Sequence, residues 1–166
     1  MNIKKQMLAV IGGVVLITAI AVATPPMGII KNEFPATGVA REPIDQDFTV
    51  TNAAGDNWDL TLSTSGPSDV YIQDIVFAPG GYSGWHHHPG VLLITVKEGS
   101  VDWYDGDCKK TTYTAGQSFT ESNALHDVVN SGNVNARLFG AYITMKDESR
   151  RIENDQPACG KELGLP

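Results

Sequence analysis

The feature that most constrains the fold is a succession of short segments rich in β-branched and aromatic residues, from about residue 47 to residue 147. Examples are FTVTN, NWDLTLS, DVYIQDIVFA, VLLITVKE, SVDWYDGD, HDVVN and ARLFGAYITM. Turns that contain glycine, asparagine or proline, such as AAGDN, SGPSD, EGS, AGQ and NSGN, separate them. Short strands at regular spacing are typical of sandwiches and barrels. The sequence therefore predicts a single all-β domain over residues 47–147.

The two ends of the chain differ from this region in composition. Lys4 and Lys5 precede a long uncharged apolar run, and the small residues AVA follow it at 21–23. This order predicts a signal peptide or a membrane anchor over residues 1–24, and the length of the run leaves both open. Residues 25–46 contain several prolines and predict a spacer. Residues 148–166 predict a charged tail on the outside of the domain.

The net charge and the cysteine content indicate which partners and which cellular compartment are compatible with the chain. The formal net charge of −7 makes nucleic acid an unfavourable partner, because phosphates repel an acidic surface. Cys108 and Cys159 are the only cysteines, and an even number in an exported protein favours a disulfide over two free thiols. Such a bond would tie the C-terminal tail to the turn at residues 105–107. We therefore expect an extracytoplasmic protein.

Three of the four histidines lie in one stretch, GWHHHPG. Because side chains alternate along a strand, His86 and His88 share one face and His87 points to the other. Two imidazoles on one face can chelate a metal ion, and His126 is the remaining imidazole that could join them. The alternative is a polar loop and a hydrogen-bonded core histidine.

The positions of these histidines resemble the two sequence motifs of the cupin superfamily. The first motif is matched by Gly80, His86, His88 and Gly99, and the second, more loosely, by Gly116, His126 and Asn130. Ser122 and Ala124 stand where the second motif usually has proline and glycine. The resemblance implies a small jelly-roll barrel with a metal site formed by His86, His88 and His126.

The glutamate that usually follows the two histidines of the first motif is absent, and Leu92 stands in its place. The resemblance then implies a neutral three-histidine site with no carboxylate ligand, which favours Fe, Zn, Cu or Ni over Mn. Glu121 could be a replacement ligand, a general base or a solvated glutamate. Tyr104 and Tyr142 are further candidates for a catalytic role.

Three classes of function remain compatible with these residues. Three-histidine sites resemble those of the thiol and diketone dioxygenase branches of the superfamily, which implies a metal-dependent oxygenase or isomerase acting on a small molecule in the barrel mouth. The alternatives are a non-catalytic module that binds a metal or small ligand, and a structural barrel with a vestigial site. A homodimer and membrane attachment through the N-terminal segment stay open.

Overall fold

The computed structural model of the chain describes residues 23–166, so the predicted leader lies, up to residue 22, outside the described residues. The elements are β1 (Met27–Ala40), β2 (Asp45–Thr51), β3 (Asn57–Ser63), β4 (Ser68–Tyr82), β5 (His86–His87), β6 (Gly90–Glu98), β7 (Ser100–Asp105), β8 (Lys110–Thr114), β9 (Ser118–Glu121), β10 (His126–Val129), β11 (Ala136–Met145), β12 (Ile152–Glu153) and α1 (Ala158–Leu163). Among these residues, no helix has the length and hydropathy needed to span a bilayer.

Ten of the strands form one antiparallel sheet that curls into a nearly closed barrel. Its order is β12-β5-β10-β4-β11-β6-β9, with β1 also paired to β4, and with β7 joining β10 to β8. The prediction of an all-β, jelly-roll-type barrel is confirmed. The interior is filled by alternate residues of the long strands β4, β6 and β11, including Phe77, Val96 and Leu138. Burying each such side chain contributes roughly 1.5–3 kcal/mol.

Strand β1 corrects the interpretation of residues 25–46 as a spacer. It pairs with β4 from Met27↔Tyr82 to Ala40↔Ser68, and its Phe34 packs on Tyr71 and Tyr142 with ring centroids 6.2 Å away. The register shifts between Glu33 and Ala36, where Pro35 has no N–H to donate to a ladder. This irregularity interrupts the alternating pattern, so the sequence looked like a linker although it is a strand of the barrel.

Strands β2 and β3 form a separate two-stranded ribbon. Within residues 23–166 they pair only with each other, and their Phe48 and Trp58 are 41% and 58% exposed, with ring centroids 6.0 Å apart. The predicted start of the barrel at residue 47 is therefore wrong: the barrel sheet begins with β1 and leaves out residues 45–63. Regular alternation in residues 45–63 predicts strands, but alternation alone does not show which sheet a strand joins.

The C-terminal tail is held against the barrel by a strand pairing and by a disulfide, among other contacts. Strand β12 pairs with β5, with Ile152 opposite His87 and Glu153 opposite His86. Cys159, in the short helix α1, is bonded to Cys108 with the Cα atoms 6.0 Å apart, which confirms the predicted disulfide. The tail therefore lies on the outside, as predicted, but it also covers the end of the barrel that holds the histidines.

Candidate metal centre

The structure brings His86, His88 and His126 together inside the barrel. His126 in β10 pairs directly with His86 in β5, which places their side chains next to each other. The ring centroids are 4.3 Å apart for His86 and His126, 4.7 Å for His86 and His88, and 5.2 Å for His88 and His126. His87 faces away, and its Nδ1 lies 2.6 Å from Oδ1 of Asn154.

Each of the three imidazoles is oriented by a backbone carbonyl. The acceptors are the carbonyl oxygen of Gly84 for His86 (2.7 Å), of Arg150 for His88 (2.6 Å) and of Ala124 for His126 (2.7 Å). A carbonyl oxygen only accepts, so each Nδ1 carries the hydrogen and each neutral ring keeps a lone pair on Nε2. This is the tautomer that a metal ligand needs.

The backbone before His86 requires a glycine. Gly84 has a φ of 74°, and a Cβ atom there would lie 2.0 Å from the carbonyl oxygen of Thr24. A larger residue would therefore clash with the N-terminal segment and displace the carbonyl that orients His86. Residues 23 and 24 thus lie against the barrel at Gly84 and against the C-terminal tail, where Ala23 is bridged to Asp155.

Glu121 joins the three histidines, which corrects the expectation of a site without a carboxylate. Its side chain is buried, and its Oε2 lies 3.3 Å from His126 Nε2 and 3.4 Å from His88 Nε2. Glu121 in β9 stands directly opposite Leu92 in β6, and directly opposed residues of an antiparallel pair point to the same side. The carboxylate missing at Leu92 is therefore supplied from one strand away.

These four residues, which we call the inner cluster, have the features of a metal site. One ligand atom from each lies within 4.8 Å of the others. Within the described residues, His88 Nε2, His126 Nε2 and Glu121 Oε1 are buried without a hydrogen-bond partner, although buried polar atoms are normally paired. Ligands of one zinc or iron ion, at roughly 2.1 Å from it, lie on the order of 3 Å apart. The inner cluster could therefore hold a divalent metal ion.

Burial and neighbouring charges shift the pKa values of the residues in the inner cluster. Burial, together with the charges of His126 and Arg151, lowers the pKa of His86 to about 2. Burial also opposes protonation of His126, but the neighbouring Glu121 carboxylate outweighs it and raises the His126 pKa. Burial conversely opposes ionisation of Glu121, and His126 and His88 outweigh it and lower the Glu121 pKa. The interaction between Glu121 and His126 therefore favours an ionised carboxylate beside a protonated imidazole.

A cavity of about 210 Å³ opens beside the inner cluster. Its wall is mostly apolar, with Ile29, Phe34, Ile75, Phe77, Ile94, Val128 and Leu138. Gln73 and Tyr142 add polar groups, and the Tyr142 hydroxyl donates to Gln73 Oε1 at 2.6 Å. Burial raises the pKa of Tyr142. Such a cavity is suited to a small, largely apolar organic molecule.

The candidate catalytic residues divide into two groups. Glu121 and Tyr142 line the cavity. Tyr104 does not face it: Trp103, its neighbour in β7, stacks on His126 with centroids 6.1 Å apart, so alternation directs Tyr104 to the other side. Arg150 also lines the cavity, and sequence reasoning missed it, because nothing in the charged tail indicates where that residue folds back.

The matching family agrees with this architecture. Residues 73–142 match the family described as a cupin domain. This match supports the assignment of the barrel to the cupin superfamily, and no curated protein matches the chain.

Several solved structures are similar to the chain at low identity. An uncharacterized conserved protein with a double-stranded β-helix domain from Klebsiella pneumoniae is 20% identical, with a TM-score of 0.46, over 70% of this chain and 87% of that one. A cupin-like protein from Thermotoga maritima is 18% identical, with a TM-score of 0.46, over 52% and 65% of the two chains. A Cupin 2 conserved barrel domain protein from Salinispora arenicola is 22% identical, with a TM-score of 0.41, over 44% and 61%.

Proposed function

We propose that the protein is an exported cupin that binds one divalent transition metal ion through His86, His88, Glu121 and His126. The observation that carries the proposal is the convergence of buried lone pairs that have no partner among the described residues. Buried acceptors that face each other repel unless a proton or a cation lies between them. The disulfide is consistent with export, since such bonds persist in oxidising compartments.

The ligand set modifies the expected choice of metal. A neutral set of three imidazoles would favour Fe, Zn, Cu or Ni over Mn, but a carboxylate adds a hard, anionic oxygen ligand. The proposed site therefore accepts Mn(II) as well as Fe(II), Zn(II) and Ni(II). In each case, protons compete with the metal ion for the imidazole lone pairs and the carboxylate, so metal affinity falls at acidic pH.

The proposed reaction is an oxygenation or isomerisation of a small organic molecule. When bound, the ion supplies Lewis-acid or redox chemistry. The apolar wall excludes water around the reacting molecule, and the Gln73–Tyr142 pair offers a hydroxyl and an amide to orient it. The backbone carbonyls fix the imidazoles, so the ligands need not reorganise.

A non-catalytic binding module is the second candidate, and one observation favours it. The Tyr142 hydroxyl already donates to Gln73, and burial raises its pKa, so it is a weak general acid. A module of this kind would return every bound ligand unchanged, whereas the enzyme would convert one in a reaction that the Glu121→Gln variant loses.

Metal analysis of the purified protein tests the proposal. We expect one equivalent of metal after the apoprotein is loaded and desalted, and His126→Ala or Glu121→Gln should lower the affinity by at least roughly 10–100-fold. His87→Ala is the matched control and should bind as the wild type does. Absence of stoichiometric metal, or an equal loss in His87→Ala, would show that the inner cluster is not a metal site.

A further inference from the structure

The Arg150 guanidinium lines the cavity and has no anionic partner in the described part of the chain. Its Cζ lies 3.9 Å from the centroid of the Phe34 ring and 4.9 Å from that of Tyr71. The other two arginines near the barrel are paired: Arg137 with Asp74, and Arg151 with Glu153. Arg150 is therefore held by aromatic rings while its N–H donors lack a carboxylate.

The hydrogen-bonding capacity of the Arg150 guanidinium is therefore not filled by a carboxylate. The guanidinium has five N–H donors, and aromatic rings attract the charge without replacing hydrogen-bond acceptors. Arg150 is half-buried, and a charge that is partly removed from water is disfavoured unless it is paired. The two rings also restrict the side chain, so binding an anion there would cost little side-chain entropy.

Arg150 is fixed relative to the inner cluster by its own backbone. Its carbonyl oxygen accepts the hydrogen bond from His88 Nδ1 at 2.6 Å. Strand β12 follows it directly and pairs with β5, and the Cys108–Cys159 bond holds the rest of the tail. One residue thus orients a proposed metal ligand with its main chain and projects a cation along the cavity with its side chain.

The charge of the cavity favours an anionic guest. Four charged residues line it, namely Glu121, Arg150, Arg151 and Glu153. Arg151 and Glu153 neutralise each other, with Nε–Oε1 and Nη2–Oε2 distances of 2.5 and 2.8 Å. Glu121 and Arg150 then cancel, and a divalent ion in the inner cluster would leave an excess of two positive charges. Apolar walls strengthen this field.

We propose that the cavity binds a small organic carboxylate, with its carboxylate on Arg150 and its apolar body against the wall that Ile75 and Leu138 help to form. Planar carboxylates match the fork of a guanidinium and accept two parallel N–H bonds, which an ammonium group cannot offer. The inference rests on the proposed function only for the role of the metal, because Arg150 would bind the carboxylate in the metal-free protein as well.

Benzoate and its neutral isostere benzamide test the proposal. We expect metal-free wild-type protein to bind benzoate at least about 10-fold more tightly than benzamide, by calorimetry or ligand-observed NMR. Arg150→Gln should abolish this preference and Arg150→Lys should retain part of it. Lys161→Gln, on the exposed side of α1, is the matched control and should behave as the wild type does.

Titration of the zinc-loaded proteins separates this proposal from the metal proposal. If benzamide binds as well as benzoate, or if Arg150→Gln keeps the preference, Arg150 is not the carboxylate site. A preference that appears only with zinc, equally in wild type and Arg150→Gln, would assign the carboxylate to the ion and overturn the inference while the metal site stands. A preference that depends on Arg150 in a protein that binds no zinc would support the inference and refute the metal site.

Discussion

The barrel carries two polar clusters on opposite sides of strand β4, and they differ in how their charges are satisfied. On the outer side, Asp74 accepts hydrogen bonds from Arg137 Nε at 2.9 Å and from Lys31 Nζ at 2.5 Å; we call these three residues the outer cluster. The inner cluster, by contrast, leaves three buried polar atoms unpaired among the described residues. A cluster that is complete within the chain is structural, whereas an incomplete buried one points to a ligand.

The pKa values follow the same division. Arg137 and Lys31 hold the pKa of Asp74 well below its ordinary value, and nothing else is needed to keep that carboxylate ionised. Glu121 and His126 depend on each other instead: the carboxylate raises the pKa of His126, and His126 and His88 lower the pKa of Glu121. Leaving a buried donor or acceptor unpaired costs roughly 1–3 kcal/mol. The unpaired atoms of the inner cluster therefore lower the free energy of unfolding, whereas the paired groups of the outer cluster do not.

The largest expected effect concerns the tail that closes the inner cluster. Replacing both Cys108 and Cys159 by serine should lower the free energy of unfolding by about 4 kcal/mol, because the bond closes a loop with a sequence separation of 51 residues. Urea unfolding measures this. Metal affinity should fall as well, because Arg150 orients His88, whereas the outer cluster contains no tail residue. A variant with unchanged metal affinity would show that the inner cluster does not depend on the tail.

Metal addition should distinguish the two clusters next. Zinc at a free concentration of 100 times its Kd should stabilise the wild-type protein by about 2.7 kcal/mol, measured by thermal unfolding. Asp74→Asn should show the same increment, and Glu121→Gln at the same zinc concentration should lose about half of it or more. If the increment disappears in Asp74→Asn, the outer cluster participates in metal binding and the distinction fails.

A smaller effect on the free energy of unfolding is expected when the carboxylate of the inner cluster is removed. In the metal-free protein, Glu121→Leu should change the free energy of unfolding by less than about 1 kcal/mol, because removal of the unpaired Oε1 offsets the lost contacts to His88 and His126, which can stay neutral. Asp74→Leu should lower it, since Arg137 and Lys31 lose their partner. Chemical denaturation of the two chelator-treated variants makes the comparison, and a clear loss of stability in Glu121→Leu would contradict it.

The smallest effect is a pH dependence at the outer cluster. Because the pKa of Asp74 is lowered from its ordinary 3.8 in the folded protein, its contribution is present above that ordinary value and is lost as the pH falls below about 4. The difference in unfolding free energy between wild type and Asp74→Asn should therefore be largest near pH 7 and should shrink on acidification. Asp107→Asn, at an exposed turn, is the control. A constant difference from pH 7 to pH 3 would refute this origin.

Sequence patterns predicted local features and missed those that depend on register. Alternation and turns located strands such as β6 and β11, and the two motifs pointed to His86, His88 and His126, three of the four residues of the inner cluster. Counting along one strand leads to Leu92, which offers no carboxylate, and leaves Glu121 as one of several open alternatives. Glu121 reaches the site across a strand pair whose register no local pattern encodes. The position of Arg150 is likewise set by β12 and a disulfide, far from the residues it joins.

The attachment of the tail also affects how fast amide hydrogens exchange with solvent and how fast molecules reach the cavity. Strands β5 and β12 have only two residues each, and so short a pair should open far more often than the long strands of the core. Strand β12 is anchored on both sides, by its connection to β11 on one side and by the Cys108–Cys159 disulfide on the other. When β12 separates from β5, it therefore moves away from the barrel but stays attached to it. We expect the amide of Asn154, which donates to the Trp85 carbonyl at 2.9 Å, to exchange with solvent much faster than amides of β11. Molecules would then enter and leave the cavity at the rate of this local opening, without any need for the barrel to unfold.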